Sequence, residues 1–209
     1  GGIQVTASHN PSEYNGFKLW VEKETLYGPQ IQEIRKRMEQ NRFAKRPAGK
    51  CESFPILAPY QDHLLGDIPS LARPLKVVID AGSGVAGPVA PPIAWKVGCA
   101  VWEIACVPDG SFPVHHPDPT VLENLEELIR TVKEKGADLG IAFDGDGDRI
   151  GAVDEKGNIL WGDELLILFA RDILKRHPGA VVISEVKCSQ RLFDQITLHG
   201  GVPIMWKAG

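Results

Sequence analysis

Three carboxylates stand at alternating positions in Asp144-Gly145-Asp146-Gly147-Asp148-Arg149. Alternate side chains of an extended chain share one side, and the intervening glycines let the backbone curl until the three converge. Like charges so clustered repel unless a cation sits among them. The donors are all hard oxygens, which suits Mg²⁺, with Mn²⁺ or Ca²⁺ as alternatives. Far from this loop, Ser8 follows a short apolar run and precedes His9. A hydroxyl beside an imidazole, on a turn after a strand, suits a nucleophile. Ser and Asn are also ordinary turn residues, so Thr6-Ala7-Ser8-His9-Asn10-Pro11 alone leaves both readings open.

The combination narrows the chemistry. A serine and a three-carboxylate loop, with Lys18 and Arg149 beside them, are the parts that phosphoryl transfer uses. Three aspartates and a phosphate bring roughly five negative charges against two from Mg²⁺, so local Arg and Lys are required. Other readings of the loop exist. An EF-hand also alternates acids, and Glu155 falls at its last ligand position. However, Arg149 stands where that loop needs Gly, and a strand precedes it instead of a helix. A haloacid-dehalogenase-like phosphatase would make Asp144 the nucleophile. A solvated acidic turn is the plain alternative, although strand-end acids in α/β folds often lie at ligand sites.

The elements that must position these groups follow from pattern. Residues 3–8 read as a strand, 13–16 as a turn and 17–21 as the next strand, so pairing brings Lys18 back toward Ser8. Pro29 opens a helix to about residue 41, with Ile31, Ile34 and Met38 on one face. Residues 42–59 lack a period and carry four prolines or glycines at 47, 49, 55 and 59, which marks a linker; 60–68 reads as a short helix. Residues 75–80, 99–106 and 137–143 read as strands of a parallel sheet, with helices at 88–97 and from 120 onward. Thr120 and Glu123 read as a capping box, with Leu122, Leu125, Ile129 and Val132 as the apolar stripe. A hairpin (150–153 with 159–161), a helix capped by Asp163, a strand (180–186), a helix capped by Ser189 and a strand (202–206) complete the pattern. The loop from Gly82 to Gly87 lacks a Walker lysine and reads as a tight strand-to-helix turn. His115 and His116, among prolines, read as structural.

Composition limits the classes. The chain has 209 residues, 43% hydrophobic and 24% charged, which suits one large or two smaller globular domains. A net charge of -4 speaks against a general nucleic-acid surface. No apolar run is long enough to cross a bilayer and no secretory segment is visible. Cys51, Cys99, Cys106 and Cys188 are scattered without metal spacing, as expected of reduced thiols in a cytoplasmic protein. The first residue is Gly1 and strand-like runs lie close to both ends, so a fragment of a longer protein is expected.

The motifs also carry a resemblance. Thr6-Ala7-Ser8-His9-Asn10-Pro11 with Tyr14-Asn15-Gly16-Phe17-Lys18 resembles the phosphoserine loop of the α-D-phosphohexomutases. Asp144 to Arg149 is similar to their metal loop. Asp109-Gly110-Ser111-Phe112-Pro113 and His115-His116-Pro117-Asp118-Pro119 resemble the segment before it. Val186-Lys187-Cys188 and Met205-Trp206-Lys207 resemble the bacterial phosphomannomutase/phosphoglucomutase branch.

The resemblance implies tandem mixed-sheet α/β/α domains: the end of a phosphoserine domain (1–56), a metal-binding domain (57–157) and the start of a sugar-binding domain (158–209). It implies interconversion of hexose 1-phosphate and hexose 6-phosphate, of mannose or glucose: a phosphoryl group on Ser8 passes to a hexose monophosphate, forming a hexose 1,6-bisphosphate that returns its other phosphate to Ser8. The alternative is a non-catalytic fragment that keeps Mg²⁺ or phosphosugar binding. Mg²⁺ would lie between Ser8, Asp144, Asp146 and Asp148. Lys18 would carry a proton or stabilise charge, His9 and Arg149 would steady the phosphoserine, and Lys187 would contact the sugar phosphate. A monomer is implied for the full-length enzyme. The family's sugar-discriminating loop and fourth domain would follow Gly209. Each side chain also has a plainer reading: a turn hydrogen bond for His9, a solvated lysine for Lys18 or Lys187, a structural ion pair for Arg149.

Overall fold

The computed structural model describes residues 1–69 and 71–208; Ser70 and Gly209, the last residue of the expected third domain, lie outside the described residues. The chain forms three sheets with their helices, a mixed α/β architecture.

The first sheet is an antiparallel meander. β1 (Gly2–Val5) pairs with β2 (Phe17–Val21), and β2 with β3 (Glu24–Thr25), a short strand that sequence pattern did not reveal. The register sets Gln4 opposite Lys18 and Val5 opposite Phe17, so the residues after Val5 and before Phe17 form one loop at the sheet's end. Helix α1 (Pro29–Glu39) starts at its proline as expected. Its expected apolar face is not a core: Ile31 and Ile34 are half-buried and Met38 is exposed.

Residues 42–56 carry neither helix nor strand. The expected linker is shorter than its prolines suggested, because α2 (Leu57–Asp67) takes Pro59 into its first turn. The missing proline N–H has no intrahelical partner there in any case.

The second sheet has the order β5-β4-β6-β7-β8. β4 (Lys76–Asp80) lies between β5 (Ala100–Ile104) and β6 (Leu139–Phe143), all parallel. β7 (Ile150–Asp154) and β8 (Ile159–Leu160) continue it antiparallel, as the hairpin pattern required. α3 (Ala90–Lys96) and α4 (Glu126–Lys135) make the parallel crossovers. The core packs Val78, Ala142 and Val153 of the strands against Leu125, Leu128 and Val132. Each of the valines and leucines contributes about 1.5–3 kcal/mol by leaving water. Arg73 ties the near end of this sheet, donating from both terminal nitrogens to Asp138 at 3.2 and 2.6 Å.

The expected capping box does not form. α4 starts at Glu126, after a 3₁₀ turn over Leu122–Leu125. The Thr120 hydroxyl and N–H both donate to Asp118 Oδ1, at 2.7 and 2.9 Å. A carboxylate two residues upstream captures the threonine before the helix end can. At the C-terminus, Gly136 takes the left-handed conformation (φ 55) that ends helices.

The third sheet pairs β9 (Val181–Glu185) with β10 (Val202–Trp206) in parallel. α5 (Gly162–Arg176) and α6 (Gln190–Leu198) pack on it through Ile167, Ala170, Leu174, Leu192 and Ile196. Asp163 is not the N-cap of α5, which is Trp161. Its carboxylate instead accepts the Ser189 backbone N–H at 3.1 Å, joining the starts of the two helices. Ser189 takes the N-cap position of α6 without a side-chain cap bond.

Candidate active site and metal centre

β4 and β6 end side by side, so the loops that leave their carboxyl ends meet at one edge. In parallel sheets that edge is where ligands bind. The turn after β4 approaches the Asp loop closely: Val85 N–H donates to Gly145 O at 3.1 Å. The Ser8 loop lies against the other side of Gly145, and a Cβ there would collide with the Ser8 carbonyl oxygen. Glycine at 145 lets two backbones from different sheets touch.

Ser8 itself adopts φ 56, a left-handed conformation uncommon for a serine. Its Oγ donates to Asp144 Oδ2 at 3.1 Å and lies 3.0 Å from His9 Nδ1. One hydroxyl has one proton. With that proton given to Asp144, the Nδ1 atom of His9 is the donor to Oγ. Asp144 is wholly buried, and its other oxygen accepts the Arg149 backbone N–H at 3.1 Å. Burial pushes the Asp144 carboxyl above its ordinary range, against the opposing pull of that backbone bond.

Asp144, Asp146 and Asp148 each present an oxygen, and these oxygens all lie within 4.8 Å of one another. Asp146 Oδ1 is buried and has no hydrogen-bond partner among the described residues. An orphaned carboxylate oxygen among converging acids is what a hard divalent cation would satisfy, so the donor set fits Mg²⁺. Lys18 supplies counter-charge: its Nζ is 3.3 Å from Asp148 Oδ2 and 3.6 Å from Asp146 Oδ2. The hydrogen bond to Asp148 and the charge of Asp146 raise the Lys18 pKa, so the ammonium is held charged. Burial pushes Asp146 up, but the Thr6 hydroxyl and Lys18 outweigh it, and its carboxyl sits below the ordinary range.

Comparison with known proteins gives this geometry a family. The description "Phosphoglucomutase/phosphomannomutase, alpha/beta/alpha domain I" matches residues 1–45, and the corresponding domain II matches residues 58–157. The phosphomannomutase/phosphoglucomutase of Pseudomonas aeruginosa is 50% identical over 208 residues. The chain belongs to the phosphoglucomutase/phosphomannomutase family. The match covers 100% of this chain and 44% of the Pseudomonas protein. A phosphoglucomutase of Neisseria gonorrhoeae is 45% identical, with 100% of this chain and 45% of that protein covered. A solved phosphoglucomutase/phosphomannomutase family protein of Burkholderia thailandensis superposes with a TM-score of 0.93 at 46% identity, over 99% of this chain and 45% of that one. The chain thus spans a little under half the length of these relatives.

In this family member, Ser8, His9, Lys18 and Arg149 are brought to the three aspartates. Arg149 reaches Asp144 by its side chain only loosely, with Nε 4.0 Å from Oδ2. Lys187 is not part of the cluster: it is exposed after β9, with Glu185 as its ionic neighbour at 3.8 Å. Two further side chains had no role assigned in the sequence, Thr6 and Asp80. Thr6 bonds to both the Ser8 and Asp146 loops. His115 pairs with the buried Asp80, its Nε2 at 3.1 and 3.0 Å from the two carboxylate oxygens. The reading of His115 as structural agrees with that pairing. The strand-end position of Asp80 was the available clue, since a buried carboxylate needs a partner.

Proposed function

We propose that the protein interconverts hexose 1-phosphate and hexose 6-phosphate, of mannose or glucose, through a phosphoserine at Ser8 and a hexose 1,6-bisphosphate. The observation that carries this reading is the Ser8 hydroxyl 3.1 Å from Asp144, within the three-aspartate cluster and beside the charged Lys18. The relatives named phosphomannomutase and phosphoglucomutase support the substrate class. We assign residues 1–56 to the phosphoserine domain, 57–157 to the metal domain and 158–209 to the start of the sugar domain.

In the first half-reaction, the bond between phosphorus and Ser8 Oγ breaks as a sugar hydroxyl oxygen bonds to phosphorus. The sugar hydroxyl gives its proton to solvent water, Ser8 Oγ takes one from His9 Nδ1, which lies 3.0 Å away, and solvent reprotonates the imidazole, so no net proton is consumed. The second half-reaction reverses these steps with the other phosphate. Lys18 stabilises charge on the transferred group. Asp144, Asp146 and Asp148, with Ser8, would hold Mg²⁺, which when bound supplies Lewis-acid stabilisation of phosphoryl oxygens. Lys187 contacts the sugar phosphate in this scheme. The alternative reading, an Asp-nucleophile phosphatase, predicts phosphate release with no need for Ser8. A cytoplasmic monomer that engages neither membrane nor nucleic acid accompanies this reading. Among the described residues, no helix is long and apolar enough to cross a membrane.

Incubation with glucose 1,6-bisphosphate and intact-mass analysis test the proposal. Ser8 gains one phosphoryl group, and Ser8→Ala removes both the modification and mutase turnover. An unmodified Ser8, or an active Ser8→Ala protein, would sink it.

A further inference from the structure

The Thr6 hydroxyl makes two bonds that join the two loops of the site. It donates to Asp146 Oδ2 at 2.8 Å and accepts the Ser8 backbone N–H at 2.9 Å. A hydroxyl has one proton and two lone pairs, so both bonds hold at once. Each has a consequence. Pinning Asp146 through Oδ2 leaves Oδ1 as the buried oxygen without a protein partner, next to Asp144 and Asp148. Holding the Ser8 N–H restrains a left-handed serine, a conformation uncommon for an L-residue. Thr6 is itself anchored, its N–H donating to Gly16 O at 3.0 Å at the mouth of the β1–β2 hairpin.

We infer that Thr6 is a positioning residue: one hydroxyl sets both the cation-facing oxygen of Asp146 and the backbone that aims the Ser8 nucleophile. The inference rests on the metal-assisted phosphoserine reading above. It adds that metal affinity and phosphoryl acceptance share a mechanical link outside the ligand set. Outer-shell partners of this kind govern metal affinity or activity by about 10–100-fold. The methyl of threonine plays no part in either bond, so the hydroxyl alone is what the role needs.

The test compares Thr6→Val, which keeps shape and loses the hydroxyl, with Thr6→Ser, which keeps the hydroxyl. Mg²⁺ binding is read by calorimetry. Transfer from glucose 1,6-bisphosphate to Ser8 is read as a single turnover at saturating Mg²⁺. Thr6→Val weakens Mg²⁺ binding about tenfold and slows transfer about tenfold even when Mg²⁺ saturates, while Thr6→Ser stays within about twofold on both. Should Thr6→Val fail to fold, Thr6→Ala carries the same expectation. Parent-like values in the variant lacking the hydroxyl overturn the inference, as does a Thr6→Ser protein as impaired as Thr6→Val. Asp148→Asn, a residue not bonded to Thr6, separates the two claims. If it weakens Mg²⁺ binding and Thr6→Val does not, the Thr6 role falls and the metal reading stands. If the unaltered protein binds no Mg²⁺, the metal reading falls and takes this inference with it.

Discussion

Ser8 and Asp144, 136 positions apart in the chain, share a hydrogen bond of 3.1 Å although Asp144 has no contact with solvent. A phosphoryl group on Ser8 replaces the hydroxyl proton in that bond with negative charge. The buried carboxylate then faces a group carrying about −1.5 to −2 charges at neutral pH.

That repulsion is relieved by a cation between the two. Phosphorylated protein therefore binds Mg²⁺ at least about tenfold more tightly than the unmodified form. Calorimetric titration of the two forms measures it, and equal affinities contradict the geometry.

Asp146→Asn removes one of three converging charges and halves the oxygen ligands of that residue. Mg²⁺ binding weakens by at least about tenfold, and activity at limiting Mg²⁺ falls with it. A variant with unchanged Mg²⁺ dependence would remove Asp146 from the metal site.

Gly145→Ala places a methyl group against the Ser8 carbonyl oxygen, while the Gly145 carbonyl is already held by the Val85 N–H at 3.1 Å. Neither backbone has room to yield without moving Ser8 relative to the aspartates. A displacement near 1 Å lowers reaction rates about 100-fold. Single-turnover transfer to Ser8 drops by about that factor, while the far-ultraviolet circular dichroism is retained. A full-rate alanine variant argues that the loops are not held in this contact.

His115 gives stability a dependence on pH. Its Nε2 faces the Asp80 carboxylate and its Nδ1 lies 3.0 Å from His116 O, so both ring nitrogens meet acceptors and the charged ring fits best. The hydrogen bond to Asp80 raises its pKa to about 8 from an ordinary 6.5, with burial opposing. The folded-state pKa lies above the unfolded one. The contribution is therefore complete below about pH 6.5 and is lost as pH rises through about 8, amounting to about 2 kcal/mol. Urea unfolding at pH 6 and pH 9 reads this difference, and His115→Asn diminishes it. Glu127, in the same recess, raises it further but less than Asp80 does.

The sequence was most informative where pattern is local. The strand at residues 17–21 and the strand at residues 202–206 have the bounds that their alternation and flanking turns indicate. The convergence of three aspartates followed from spacing and charge alone. Errors arose where one local rule met a nearer competitor. Pro59 looked like a boundary but sits in the first turn of α2. Thr120 looked like a cap but found Asp118 first. Thr6 went unassigned because its value depends on Asp146, 140 positions away, and no periodicity encodes such a bond. The core shows the same effect: Leu128 is fully buried while Leu122, on the expected stripe, is half exposed, because the helix starts later than its capping signal.

The segment 42–56, free of helix and strand, separates the sheet that bears Ser8 from the sheet that bears the aspartates. It makes the assembly of this site a tethered, first-order encounter. A short tether of this kind holds its ends at an effective concentration in the millimolar range. Occupancy of the docked arrangement then depends on chain length as well as on chemistry. Glycine-serine insertions dilute it gently, by about the −3/2 power of length, whereas a deletion that leaves the tether too short to span the gap pulls the nucleophile off its aspartates without touching a single side chain of the site.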